Sequence, residues 1–211
     1  MTALSNHDRG AALVVVLLLM ILLVVIGGGL ITLATTETLI SAAHRHAHEA
    51  AHGADAALER ALLDLALLPD WSPLLAPPPG NVVSSFDDGA MTPIGPDGRR
   101  IDLSVLTAER QRESDARDGP LFGANSPQWR LLAHAPIHQL ASGVTALPVY
   151  LVVWVGDDGP DGDGDPTRDV NQRVVLHAVA LGGAGTRRAV EAFAERTPEG
   201  VLRLRSWHQP R

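Results

Sequence analysis

The chain has 211 residues, 17 basic against 24 acidic side chains, a formal charge of -7 and no cysteine. That balance excludes nucleic-acid binding driven by bulk charge, and the missing cysteines exclude disulfides and thiol chemistry. Setting aside residues 1–68, a leader and one long helix on the reading below, leaves roughly 140 residues, an ordinary size for a single globular domain.

Ala11 to Thr36 form twenty-six consecutive positions without a charge. A bilayer core takes about 20 apolar residues in a helix, so this segment is long enough to span it. A secretory signal has a shorter apolar region, about 7–15 residues, with its cleavage site on the far side. Here Arg9-Gly10 stands on the near side, and a cut after Gly10 would leave the apolar helix on the protein. Residues 1–10 are then a leader and 11–36 the membrane or filament-core half of a helix. Further on, Ala43, Ala47, Ala50, Ala54, Ala57, Leu58, Ala61 and Leu65 recur at helical spacing, which predicts an amphipathic second half over 37–68, stopped by Pro69. From 11 to 68 such a helix is about 85 Å long.

Gly27, Gly28 and Gly29 interrupt the apolar half, each at about 1 kcal/mol of helix propensity. They read either as a stretching point or as a place for close packing against a neighbouring helix. His44, His48 and His52 share one helical stripe, with His46 off it. No HExxH-type carboxylate accompanies them, so they read as a solvated face rather than a metal site.

The residues Arg9-Gly10-Ala11-Ala12-Leu13-Val14-Val15-Val16-Leu17-Leu18, with Thr35-Thr36-Glu37 and Ala54 to Arg60 behind them, resemble type IV pilin-like proteins. The resemblance is closest to minor pilins of the PilX type. It implies that a prepilin peptidase cuts between Gly10 and Ala11 and methylates the new N-terminus at Ala11. It also implies an inner-membrane protein with a single span and a periplasmic C-terminal domain, later moved to the pilus tip outside the cell. Implied partners are other minor pilins and the major pilin, with a tip adhesin as a further one, and no nucleic acid. Most pilins carry a glutamate five residues into the mature chain; here that position is Val15. Its loss fits a subunit that enters the filament first and primes assembly. The tip pseudopilin of type II secretion shares that loss, although its globular domain usually carries a large helical insertion. A signal-anchored periplasmic binding domain is the third reading.

Residues 69–211 read as one β-rich domain. Pro73 and Pro77-Pro78-Pro79-Gly80 read as a stiff connector. Short strands are expected at Asn81–Phe86 and Ile101–Val105, with turns at Asp87-Asp88-Gly89 and Pro96-Asp97-Gly98. The charged stretch Glu109–Asp118 reads as a short helix or a loop. Stronger strands follow at Trp129–Ala135, Leu147–Val155, Arg173–Leu181, Thr186–Glu195 and Val201–His208. In the last, Leu202 and Leu204 alternate with Arg203 and Arg205, the pattern of a half-buried strand. Gly-containing turns between strands predict an antiparallel meander. The expected fold is therefore α+β, a long N-terminal helix packed on an antiparallel sheet. Val153-Trp154-Val155, the acidic loop behind it and Arg187-Arg188-Ala189-Val190-Glu191 extend the PilX resemblance more loosely.

Six aspartates fall between Asp157 and Asp169, and a hard cation would relieve their repulsion. Asp161, Asp163 and Asp165 copy the first ligand positions of a calcium loop, and Asp169 falls where a fourth could sit. Pro166 stands in place of the turn glycine and Gln172 in place of the bidentate glutamate, so the segment is not an EF-hand. Calcium is the one cofactor that the loop invites. Catalytic residues are not expected: there is no phosphate loop, no GxSxG elbow and no recognisable nucleophile. His134, His138 and His177 sit in or beside strands, where core or surface roles are the default.

Overall fold

A computed structural model describes residues 6–77, 84, 86–140 and 147–208. The chain divides into two compact units, Met1–Arg45 and His46–Arg211. Helix α1, Asn6–Leu67, contributes to both.

The first unit is the apolar part of α1. Its most apolar window has a mean hydropathy of 3.2, and none of that window is buried. It is long and apolar enough to cross a membrane. Four of its hydroxyls are satisfied locally: those of Thr32, Thr35, Thr36 and Thr38 donate to the carbonyls four residues back at 2.8–3.0 Å. Such back-bonding hides a hydroxyl where no water is available to solvate it.

In the second unit α1 becomes one-sided. Ala50, Ala54, Ala57, Leu58, Ala61 and Leu65 are buried, while Glu59, Leu63 and Ala66 face outward. The small residues set the approach to the sheet. A methyl group added at Gly53 would stand 3.1 Å from both Leu151 and Val149. The helix ends at Leu67, two residues before Pro69, and a strand residue finishes it. Arg196 donates to the carbonyls of Leu65, Leu68 and Pro69, and its guanidinium lies 4.5 Å over the Trp71 ring. The last turn has no basic residue of its own, so Arg196 supplies the charge and donors that a helix C-terminus lacks. Trp71 indole N–H adds a bond to the Leu65 carbonyl at 3.0 Å, seating the one-turn helix α2, Ser72–Leu75.

Five strands form one antiparallel sheet in the order β1-β2-β3-β4-β5: β1 Arg130–Pro136, β2 Tyr150–Asp157, β3 Arg173–Leu181, β4 Arg187–Arg196 and β5 Leu202–His208. The α+β meander expected from the turns is present. The β3–β4 turn uses Ala184 and Gly185 at positive φ, and Gly200 turns β4 into β5 at φ 81°. β5 departs from the expected half-buried pattern. Only Leu202 is partly covered, and Leu204 and Trp207 are exposed among Arg203 and Arg205. As an outermost strand it is covered only at Leu202, which packs against the core beneath α1, and its arginines guard an open edge.

The layering also exceeds the expectation. Leu151, Val153 and Val155 of β2 join the core beneath α1, whereas Tyr150, Val152 and Trp154 join a second core with Leu103 and Trp129. The cover on that side is α3, Leu103–Phe122. Ile101–Val105 is therefore not a strand: the Asp102 side chain accepts the N–H groups of Ser104 and Val105 at 3.0 and 3.2 Å and starts the helix at Leu103, as an N-cap does. The charged stretch Glu109–Asp118 is the middle of this 20-residue helix. The candidate strand Asn81–Phe86 lies largely outside the described residues, and Ser84 and Phe86 are not in a strand. Pro78–Gly80 and the first five leader residues also lie outside them.

Replacing the fully buried Ala54 with leucine is expected to overpack this seam. Ala54→Leu should destabilise the domain by about 1–3 kcal/mol, and Ala66→Leu on the exposed face should stay within about 0.5 kcal/mol. Denaturant unfolding of the detergent-solubilised chain checks both.

Candidate functional site

The acidic corner is built where β2 runs into the β2–β3 connection. Asp157 holds the next position in the alternation 151, 153, 155, so the strand carries a carboxylate into the protein. The residue is fully buried. Among the described residues neither of its carboxylate oxygens has a hydrogen-bond partner; the Asp158 N–H lies near enough to moderate its acidity without bonding geometry. Carboxylate oxygens of Asp157, Asp158 and Asp161 all lie within 4.8 Å of one another. Asp158 is also buried, and its Oδ1 accepts from Asn171 Nδ2 at 2.8 Å. Asp161 Oδ2 accepts from the Val170 N–H at 3.2 Å. Asp161 Oδ1 and Asn171 Oδ1 are buried and unpartnered among the described residues.

Burial, then the charges of Asp161 and Asp158, push the Asp157 carboxyl up to about 8. Burial also raises Asp158 and Asp169. An isolated buried carboxylate is costly, and three together repel. Arg173 acts on Asp158, but its guanidinium is engaged by Glu195 at 3.5 Å.

The four aspartates singled out from the sequence are not brought together as a set. Asp161 is in the corner. Asp163 accepts the Asp165 N–H at 2.8 Å, Asp165 accepts from Thr167, and both are exposed. Asp169 is buried but turns to the Arg173 N–H at 3.2 Å and the Gln172 amide. The loop is held to the rest of the domain by Asn125, which accepts from Gly164 N–H and donates to the Gly159 carbonyl, and by a pair of bonds between Ser72 and Asp169.

Two other polar groupings find protein partners for their carboxylates, although Arg110 Nε in the second is buried and unpartnered among the described residues. His134, buried on β1, meets Tyr150 Oη at 3.0 Å and Asp87 and Asp88 at 3.2 and 3.1 Å, and Tyr150 donates to Asp88. This pins the 86–88 segment to β1. Beneath α3, Glu191 of β4 receives Arg110, His177 and Arg117. Arg110 stacks 4.2 Å over Trp129, while Ser114 and Arg117 hold Asp118. Burial drives His177 below its ordinary range, so it donates as a neutral imidazole. Burial pushes Glu191 up, and the His177 bond with the Arg110 and Arg117 charges more than offsets it, leaving its carboxyl below the ordinary value of 4.5. His138 is exposed. His48 and His52 are exposed and stack at 6.5 Å, and His46 packs on the Gly183 turn beside Glu49.

In the first unit Gly10 and Ala11 both lie within α1, and Val15 is exposed. Among the described residues nothing comes within 4 Å of a methyl group built at Gly27, Gly28 or Gly29.

Residues 9–59 match the PilX N-terminal family. The N-terminal region is pilin-like, of the PilX type. Gly10, Ala11, Val15 and the three glycines all fall inside the matched stretch, and the entire sheet lies outside it. The looser likeness around Val153 and Arg187 therefore has no counterpart in the match. The chain matches no curated protein and no solved structure. PilX is a structural pilin family rather than an enzyme family, and its members' setting suggests a minor-pilin-like role, membrane anchoring by the long apolar helix, and contact with other pilus components.

Sequence reading missed Asp157, Asp158 and Asn171 as a group and the buried Glu191 cluster altogether. The signal for Asp157 was the β2 alternation, which runs without a break into the acidic loop. Glu191→Gln would leave Arg110, 3% exposed, facing a neutral group. Breaking such a buried pair typically removes about 3–5 kcal/mol. Because the folded carboxyl sits below its unfolded value, that stability is present above the ordinary carboxylate range and is lost as pH falls through the folded value. The melting gap between wild type and Glu191→Gln should thus be widest at neutral pH and narrow only below the ordinary value of 4.5; paired thermal melts across pH check the sign.

Proposed function

We propose that the chain is a minor pilin of a type IV pilus, priming assembly and sitting in the tip complex with other minor pilins and the major pilin. The observation that carries this is the PilX N-terminal match at residues 9–59, laid over a helix whose apolar window is unburied. A helix apolar on all sides is stable in lipid or in a sheath of other apolar helices. Prepilin peptidase acts between Gly10 and Ala11, and the freed N-terminus is methylated at Ala11. The helix waits in the inner membrane with the sheet domain in the periplasm, and then joins the filament. With Val15 in place of the usual glutamate, the subunit has no carboxylate to offer a neighbour's amino group, which suits the first subunit in. Its partners extend to a tip adhesin.

Gly27, Gly28 and Gly29 belong to the same mechanism. They weaken the helix by about 1 kcal/mol each and meet no neighbour within 4 Å among the described residues, which supports a role in stretching or in close helix contact within the filament. α3 narrows the contrast with the tip pseudopilin of type II secretion, whose globular domain is helix-rich, so location decides between them: a pilus subunit is recovered in sheared surface filaments.

The test is the intact mass and N-terminal peptide of the membrane-extracted chain, with and without active prepilin peptidase. A chain beginning at methylated Ala11 only when the peptidase is active is expected; one still beginning at Met1 under both conditions overturns the filament reading. In a second measurement, changing the three glycines to alanine should raise helix stability in detergent and lower recovery in sheared filaments. Unchanged recovery would remove the glycines from the mechanism.

A further inference from the structure

We propose that the corner formed by Asp157, Asp158, Asp161 and Asn171 is a calcium site that fastens the β2–β3 connection to the end of β2. The inference is independent of the pilin reading, since it rests on the sheet domain alone.

A cluster of acidic side chains is common on protein surfaces and needs no ion. This one differs because Asp157 is fully buried with both oxygens unpartnered among the described residues, and it is grouped within 4.8 Å of its two neighbours' carboxylates. Buried polar atoms are nearly always bonded, and an orphaned pair asks for a missing partner. The contrast with the chain's other acidic grouping is direct. In the Asp87–Asp88–His134 set the atoms find protein partners at 2.9–3.2 Å; at Asp157, with only the Asp158 N–H nearby, no atom among the described residues makes a bond of good geometry to either oxygen.

The donors are all hard oxygens: one carboxylate oxygen each from Asp157, Asp158 and Asp161, grouped within 4.8 Å, while the second Asp157 oxygen and Asn171 Oδ1 are also buried and unpartnered among the described residues. Hard oxygen donors with carboxylate charge suit calcium or magnesium rather than a transition metal. Calcium takes 6–8 oxygens in flexible geometry, whereas magnesium demands a near-ideal octahedron. An irregular loop with Gly162 and Gly164 at φ 76° and 79° suits the looser requirement. The remaining atoms of the same side chains already brace the site: Asn171 Nδ2 holds Asp158, and the Val170 N–H holds Asp161. The connection runs to about fifteen residues, against 2–5 for most hairpins, and an ion would tie its first turn to its last residues.

The test is thermal unfolding of the full-length, detergent-solubilised protein in chelator and in ~10 mM calcium, a range suited to extracellular calcium modules. Calcium should raise the wild-type midpoint by ~5 °C through binding to the folded state, with little response to the same magnesium concentration. Asp157→Asn and Asp161→Asn should each abolish the calcium response. In chelator above about pH 8, where the Asp157 carboxyl is ionised, Asp157→Asn should also melt higher than wild type, because the amide removes a buried charge and can donate to Asp161. The pair of loop changes Asp163→Asn and Asp165→Asn should keep the response. No shift in wild type overturns the proposal, as does a response as large with magnesium, or one that survives at Asp157→Asn and vanishes in the loop pair. Should Asp157→Asn fail to fold, Asp161→Asn and terbium luminescence on wild type stand in for it. Trp129 lies against Gly156 and would sensitise terbium bound at the corner; terbium emission that is absent or not displaced by calcium counts against the site.

Discussion

The double burial of β2 organises the sheet domain. Every residue of that strand, Tyr150–Asp157, is buried, so alternate side chains must find two separate cores. One is closed by the alanine face of α1 and the other by α3. A sheet whose central strand is covered on both faces is a three-layer structure, and neither cover can be removed without exposing Trp154 on one side or Leu151 on the other. The close seat of α1 depends on Gly53 and the alanines. The seat of α3 depends on polar groups, with Trp154 indole N–H donating to Thr107 at 2.8 Å and Gln111 bonding the Trp129 N–H.

That division explains where charge is buried and how it is tolerated. Arg196, half-buried at the end of α1, donates to the carbonyls of Leu65, Leu68 and Pro69 and to Gln172 Oε1. Arg110 enters beneath α3 only with Glu191 facing it and Trp129 under it. In both places a cation drawn in from water, half-buried at Arg196 and fully at Arg110, meets acceptors that were themselves in need of a donor, which is the condition under which buried charge is sustainable. Asp157 breaks the rule. It continues the core-facing alternation of β2 one step too far, into a loop of like charge, and no protein donor among the described residues answers it. The same strand geometry that builds the core thus delivers an unanswered carboxylate to its end.

The long helix and all five strands were legible because their signals are periodic. Arg173–Leu181 begins and ends where the sequence pattern does, since a glycine turn bounds it on one side and an uninterrupted apolar run fills it. α3 was not legible as a buried helix for a physical reason. Its inward positions are Leu103, Arg110, Ser114 and Asp118, a stripe at helical spacing written in polar residues, and hydropathy cannot see it. Asp102 was read as part of a strand, although an aspartate two residues ahead of Ser104-Val105 is also an N-cap signature. β5 failed in the opposite sense: its alternation is real, but alternation reports two unlike faces without saying that anything covers either. In the acidic loop the spacing of Asp161, Asp163 and Asp165 suggested a ligand set, whereas burial selects Asp157, Asp158 and Asp161. Spacing along a loop says little about which carboxylates meet, because glycines at positive φ redirect the chain between them.

The two parts of α1 obey different physical rules, and the difference bears on what the helix is for. In the sheet domain the helix is amphipathic, with alanine where the backbone must come close and charge where water reaches. Between Ala11 and Thr36 there is no polar face at all, and Thr32, Thr35 and Thr36 turn their hydroxyls back onto the helix. A segment of that kind is at its free-energy minimum only when surrounded by hydrocarbon, whether from lipid or from neighbouring helices. Three consecutive glycines weaken it, yet nothing among the described residues comes within 4 Å of the space they leave. Residues that are costly to the isolated helix and unused by its own fold gain a physical reason when the helix changes surroundings. A transfer from bilayer to filament is such a change, because lipid chains conform to any helix surface while a packed helix does not.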